Sequence, residues 1–193
     1  MEIAALTVSI FALILSLLTT WFTLFYSGTL RISHPSVIFF GPDAGHGSPK
    51  VFLRAILFST SRRGQIIESM YVKLRRSGSY QIFNIWVYGE TKDLKRGSGL
   101  YVGKEGVVYN HHFALPKENA NYVWLEGIYT IELHAKTVSQ KSPSLLLSQK
   151  LNLSEKLSEE LRTTNAGLYF DWDPESQVYS THLDTRFVAT EKE

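Results

Sequence analysis

The sequence contains no cysteine. That absence excludes a disulfide framework, a zinc knuckle, a thiol nucleophile and a lipidated cysteine at once. It leaves the compartment open, because cytoplasmic domains need no disulfides and many exported ones do without them. Charge is missing where it would be most visible: residues 3–26 carry none, and no Lys or Arg precedes them. Net charge is only +2 over 193 residues. A nucleic-acid binder wants a larger basic excess, so no nucleic-acid partner is expected. No internal repeat and no low-complexity tract is visible.

What is present is a folded globular composition, 44% hydrophobic and 20% charged. Aromatics reach 13%, which favours strands over helices. The length suits one domain plus an anchor. Charge is unevenly spread. Residues 50–104 hold 11 Lys and Arg against three Asp and Glu, while residues 105–193 hold 8 against 13. A basic face toward anionic lipid or an acidic partner is one reading, and ordinary surface variation is the other.

The uncharged run, residues 3–26, predicts a membrane-spanning helix. Its 24 residues reach about 36 Å, more than the ~30 Å hydrocarbon core. Thr7, Ser9, Ser16, Thr19, Thr20 and Thr23 are tolerable in lipid because a small hydroxyl bonds back to the i−4 carbonyl. Trp21, Phe22, Phe25 and Tyr26 form an aromatic belt at one end. A cleaved signal peptide would show a basic start and a small-x-small site, and neither is there. Residues 1–27 are therefore read as an uncleaved anchor, with the lipid bilayer contacted through residues 3–26. Arg31, Lys50 and Arg54 on the C-terminal side favour an N-out orientation with a cytoplasmic domain, an extracytoplasmic one being the alternative.

Residues 28–183 read as strands. Expected strands are 51–60, 66–75, 80–88, 105–115 and 128–136. The last alternates Tyr129, Ile131, Leu133 and Ala135 with Thr130, Glu132, His134 and Lys136, a period of 2 with one face buried. The run 51–60 is mostly apolar with one charge, Arg54, as a central strand would be. Turn signals at Gly41-Pro42-Asp43, Arg63-Gly64, Ser77-Gly78, Gly97-Ser98-Gly99 and Pro116 separate them. The expected class is mainly β, an antiparallel β-sandwich behind the transmembrane helix. One short helix is expected at 154–161, capped by Asn152 or Ser154. A hairpin of 167–171 and 177–183 is expected around a type I turn with Pro174 at i+1. Residues 184–193 are expected to be a flexible tail.

Residues 125–133, Leu-Glu-Gly-Ile-Tyr-Thr-Ile-Glu-Leu, resemble the G-x-Y-x-Φ-x-Φ strand found late in many immunoglobulin-like and fibronectin-like sandwiches. In those folds the glycine lets the chain enter the strand and the tyrosine packs near the sheet corner. The resemblance covers about ten residues, implies an immunoglobulin-like fold, and carries no function. Residues 64–89 and 167–182 are also similar to parts of a bacterial family of membrane-anchored proteins. That likeness brings no activity with it.

No catalytic motif stands out. His111 and His112 are adjacent, so on a strand they point to opposite faces and do not share a metal. His34, His46, His134 and His182 are isolated in sequence, and no metal or cofactor is expected. Asp171, Asp173 and Glu175 beside Trp172 lack calcium-loop spacing and read as a solvated hairpin tip. The glycine-rich stretch 41–47 lacks the lysine and following helix of a phosphate loop, and reads as a loop. The expectation is a membrane-tethered, non-enzymatic protein-interaction module. Arg54, Arg62, Arg63, Arg75 and Arg76 are candidates for a basic contact face. The alternative is a ligand-binding or sensory domain for a sugar or apolar ligand, with an aromatic pocket of Trp86, Tyr88, Trp124 and Trp172.

Overall fold

A computed structural model describes residues 2–26, 28–43, 48–90, 93–116, 122–164 and 166–185. It opens with helix α1 (Glu2–Thr20), which widens into a π-helical turn at Trp21–Phe25. There Tyr26 N–H donates to the Trp21 carbonyl five residues back. The span Glu2–Phe25 is long and apolar enough to cross a membrane, and none of its residues is buried, though Thr60, Ser61, Arg62 and Lys104 face its C-terminal half across a groove. Hydroxyls inside it bond backward as expected: Thr7 to Ile3 O (2.8 Å), Ser9 to Ala5 O (2.9 Å) and Thr19 to Leu15 O (2.8 Å).

The rest is mainly β. The strands are β1 (Leu30–Ile32), β2 (Val37–Pro42), β3 (Pro49–Ser59), β4 (Gln65–Arg76), β5 (Ser79–Phe83), β6 (Ile85–Tyr88) and β7 (Lys95–Arg96). They continue with β8 (Leu100–Val102), β9 (Val107–Ala114), β10 (Gly127–Thr137), β11 (Ser144–Leu153), β12 (Gly167–Asp173) and β13 (Val178–Asp184). Helix α2 (Glu155–Thr163) lies between β11 and β12. Two antiparallel sheets result. The larger is ordered β13-β12-β2-β3-β9-β6-β7, with β1 beside the end of β3. The smaller is ordered β11-β10-β4-β5, with β8 also on β4.

Period 2 decides what each sheet buries. In β10, Tyr129, Ile131, Leu133 and Ala135 are buried, and their alternates are not. In β3, Val51, Leu53, Ala55 and Leu57 are buried, and β3 is central as expected. Inward side chains of both sheets join one hydrophobic cluster. Within it Phe40 of the larger sheet meets Tyr129 of the smaller, ring centroids 5.7 Å apart.

Three expectations need correction. Residues 80–88 are two strands, because the alternation slips at Asn84: Phe83 and Trp86, three apart, are both buried. The slip sends β5 to the smaller sheet and β6 to the larger. The hairpin turn closes one residue later than a type I turn. Gln177 N–H donates to Asp173 O, with Gln177 at φ 55°, and the Asp173 carboxylate accepts from Glu175 N–H and Ser176 Oγ. Asp184, expected in the tail, ends β13 and is buried, while residues 186–193 lie outside the described ones. Ser154 is the cap of α2, accepting from Leu157 N–H.

Tyr129 is tied to its own approach loop. Its hydroxyl donates to Leu125 O (2.6 Å) and accepts from Leu125 N–H (3.0 Å). Gly127 between them holds φ +129°, a conformation that side chains avoid. Tyr129→Phe is expected to cost about 1–2 kcal/mol, since both partners lose a half-buried bond. Denaturant titration of the full chain in mild detergent measures this, and an unchanged midpoint would contradict it.

Candidate binding face on the larger sheet

The outward faces of the two sheets both carry ion pairs and differ in their rings. On the smaller sheet that face is charged and paired. Glu132 accepts from Arg75 (2.9 Å), Lys136 meets Glu68 (2.9 Å), and Lys73 lies over the Tyr80 ring. This is the usual wet side of an antiparallel sheet.

On the larger sheet the outward face carries a row of rings, with His182 of that row 2.6 Å from the Asp171 carboxylate. Register places His182 opposite Tyr169, Tyr169 opposite Phe39, Phe39 opposite Phe52, Phe52 opposite His112, and His112 opposite Val87. Directly paired residues share a face. The rings touch in sequence, with centroid separations of 5.0, 4.8, 6.4 and 5.0 Å from His182 to His112. A row across six strands spans roughly 24 Å at ~4.8 Å per strand. Phe39 is only 2% exposed, although it points away from the core. Its ring fills the space over Gly41, where an added Cβ would meet both it and Gly167. Ile56 and Val108, paired on the same face, are exposed at 42% and 47%.

A cavity of about 310 Å³ adjoins one end of this row. Lys50, Arg96 and His112 supply its polar side, and Ile85, Val87 and Leu94 its apolar one. Lys50 pairs with Asp43 at 3.1 Å. Burial, then the nearby Lys50 ammonium, lower the His112 pKa to about 4, with Asp43 acting the other way. His112 Nδ1 is buried and has no hydrogen-bond partner among the described residues. The imidazole is therefore neutral near pH 7.

The sequence-predicted arginines fall in separate places. Arg62 and Arg63 occupy the β3–β4 turn, and Arg63 donates to Leu24 O of the helix span. Arg75 and Arg76 end β4, twelve residues long, so they lie about 35–40 Å away along the strand. Arg54 is on the outward face of the larger sheet, bonded to Asn110 (3.1 Å) and near Glu90 (3.5 Å). The aromatics divide likewise. Trp86 and Tyr88 are neighbours at 5.2 Å on the core side, Trp124 stacks on Phe40 at 4.6 Å, and Trp172 meets the His34 ring at 3.9 Å with the planes tilted. None of the four lines the cavity beside His112. His111 and His112 do point apart: His111 is fully buried and accepts from Trp86 Nε1 (3.2 Å), while His112 joins the outward row. No three His, Asp or Glu side chains converge as a metal site among the described residues. His46 and most of the stretch 41–47 lie outside them.

Sequence reasoning missed Phe39, Phe52, Tyr169 and His182 as a unit. One signal was available. In 51–60 the positions alternating with the core, Phe52, Ile56 and Phe58, are apolar too, which marks a strand covered on both faces. No protein-family model matches this chain, and no curated protein or solved structure matches it.

Proposed function

We propose that this chain is a single-pass, membrane-anchored β-sandwich of immunoglobulin-like type that works as a non-enzymatic binding module. Its partner docks on the outward face of the larger sheet. The observation carrying this is the row His182-Tyr169-Phe39-Phe52-His112, set beside the exposed Ile56–Val108 pair. Aromatic rings in continuous contact, flanked by the ion pairs Lys50–Asp43, Arg54–Glu90 and His182–Asp171, have the make-up of an interface core with a polar rim. The outward face of the smaller sheet has the stacked pair Tyr71–His134 in place of a continuous row, and that contrast gives the reading direction.

The tyrosine hydroxyl bonded back to Leu125 supports the immunoglobulin-like reading, because such corners recur in those sandwiches. The uncovered apolar span supports the anchor. Exposed Arg31, Arg62 and Arg63 beside its C-terminal end favour a cytoplasmic domain.

A photo-crosslinking residue at Phe52, in the full chain in its native membrane, is expected to capture a discrete protein species. The same probe at Tyr71, on the other sheet, is expected to capture none. Ile56→Arg should lower recovery about 30-fold, the loss of a central contact worth ~2 kcal/mol. Equal capture from both faces, or none from either, would sink the proposal.

A further inference from the structure

The end of the domain nearest the helix carries a second exposed apolar group, on the smaller sheet. Ile66 of β4 is paired with Tyr101 of β8, so both side chains share the outward face. Val138 N–H donates to Ile66 O, placing Val138 on the other side of Ile66. The three are exposed at 45%, 55% and 65%. Tyr101 is held in place: its hydroxyl donates to Arg63 O (3.3 Å), and its ring covers Gly64 at φ +68°.

Cations surround this group. Arg62 and Arg63 are in the β3–β4 turn, Lys104 in the β8–β9 turn and Lys141 in the β10–β11 turn, all exposed. None of the four makes an ion pair among the described residues. Glu105 is the carboxylate that shares these turns. Asp173 and Glu175 sit on the β12–β13 turn, at the far edge of the larger sheet.

The patch is also tied to the point where the chain leaves the helix. Gln65 donates to Gly28 O (3.3 Å), and Thr29 and Thr60 exchange bonds of 2.8 and 3.0 Å. Ile66 is the next residue. If the helix spans the hydrocarbon, Gly28 lies in a headgroup layer about 5–8 Å deep. The apolar group then sits at the depth where tyrosine and basic side chains partition.

We infer that Ile66, Tyr101 and Val138 dip into the bilayer interface and that Arg62, Lys104 and Lys141 bind anionic lipid headgroups. The domain thus leans on its smaller sheet and turns the aromatic face of the larger sheet away from the lipid. This rests on the anchor reading above. The occupant is lipid rather than protein because the helix exit fixes the patch beside the membrane and the turns around it hold four cations against one carboxylate, Glu105.

The absence of cysteine allows a clean test, since any introduced cysteine is unique. Single cysteines at Ile66, Val138, Leu13 and Ser79 are spin-labelled in the full chain. Each is placed in nanodiscs of zwitterionic lipid, with and without phosphatidylglycerol. Collision with oxygen and with a water-soluble nickel chelate reports depth. The Leu13 label checks the anchor, and the exposed Ser79 label, at the far end of β4, is the aqueous reference. Labels at Ile66 and Val138 should read interfacial depth in the anionic discs. The triple change Arg62→Gln, Lys104→Gln, Lys141→Gln should lower the docked population roughly 100-fold, about fivefold per cation, with Leu13 unmoved. Labels at Ile66 and Val138 as wet as Ser79, with Leu13 buried, would overturn the inference and keep the anchor. An aqueous Leu13 label would overturn both.

Discussion

Acidification from pH 7 to pH 4 should destabilise the domain by about 3 kcal/mol through His111 alone. His111 is fully buried, and its pKa is lowered to about 4, first by burial and then by His112. The geometry explains the direction. Trp86 Nε1–H donates to His111 Nδ1 at 3.2 Å, so Nδ1 must be an acceptor and the ring must be neutral. Protonation would set two donors against each other and leave a charge between the sheets. Nε2, which then carries the proton, has no partner among the described residues.

The sign follows from linkage. The unfolded chain takes up the proton near pH 6.5 and the folded chain only near pH 4. Stability is fully present above about 6.5, falls between 6.5 and 4, and levels off below. His112 titrates in the same window but is partly exposed, so its contribution is smaller. For a domain of this size, ~3 kcal/mol corresponds to a fall in Tm of roughly 6–12 °C. His111→Gln keeps an acceptor for the indole and removes the titration. It should flatten the pH dependence while costing some stability at pH 7. A thermal scan of the full chain in detergent decides the matter. Identical slopes for the wild type and His111→Gln would remove His111 as the cause.

The chain announces part of its fold. Residues 3–26 could be read because lipid demands an unbroken apolar run, and β10 because its alternation is strict from Tyr129 to Lys136. Strand β11 was not read. Its residues Leu145, Leu146 and Leu147 are consecutive and none is fully buried, so period 2 is hidden at that edge. Strand β2 was hidden for the opposite reason. Ile38, Phe39 and Phe40 are all buried, because the outward ring of Phe39 is covered as well. A run buried on both sides has no period to read.

The aromatic row was less legible than the fold. Its rings come from β13, β12, β2, β3 and β9, and sheet order makes them neighbours. Tyr169 and Phe39 are 130 positions apart in the chain and meet at 4.8 Å. A single sequence carries no record of that pairing. Trp86, Tyr88, Trp124 and Trp172 stand out in the sequence by size. Size alone does not distinguish a core tryptophan from one that meets a ligand.

Trp124 makes the distinction measurable. The reading of a ligand platform expects Trp124→Ala to lose binding and keep the fold. The geometry expects loss of stability. The indole is 6% exposed and stacks on Phe40 at 4.6 Å with planes 10° apart. Phe83 lies parallel at 6.1 Å, and Tyr122 meets it edge-on at 5.1 Å. Phe40 belongs to the larger sheet and Phe83 to the smaller, so the ring fills space between the two. Its carbonyl accepts from buried Ser158 (2.9 Å), which draws α2 against the same loop. Truncating an aromatic so enclosed costs about 3–5 kcal/mol, against a total domain stability of roughly 5–15. Trp124→Ala should therefore fold poorly or melt well below the wild type. Trp124→Phe keeps a stacked ring and should recover more than half of the loss. Ser158→Ala, which breaks only the tie to α2, should cost ~1–2 kcal/mol. If Trp124→Ala melts within a degree or two of the wild type, the indole is not a core element, and the aromatic-pocket reading returns.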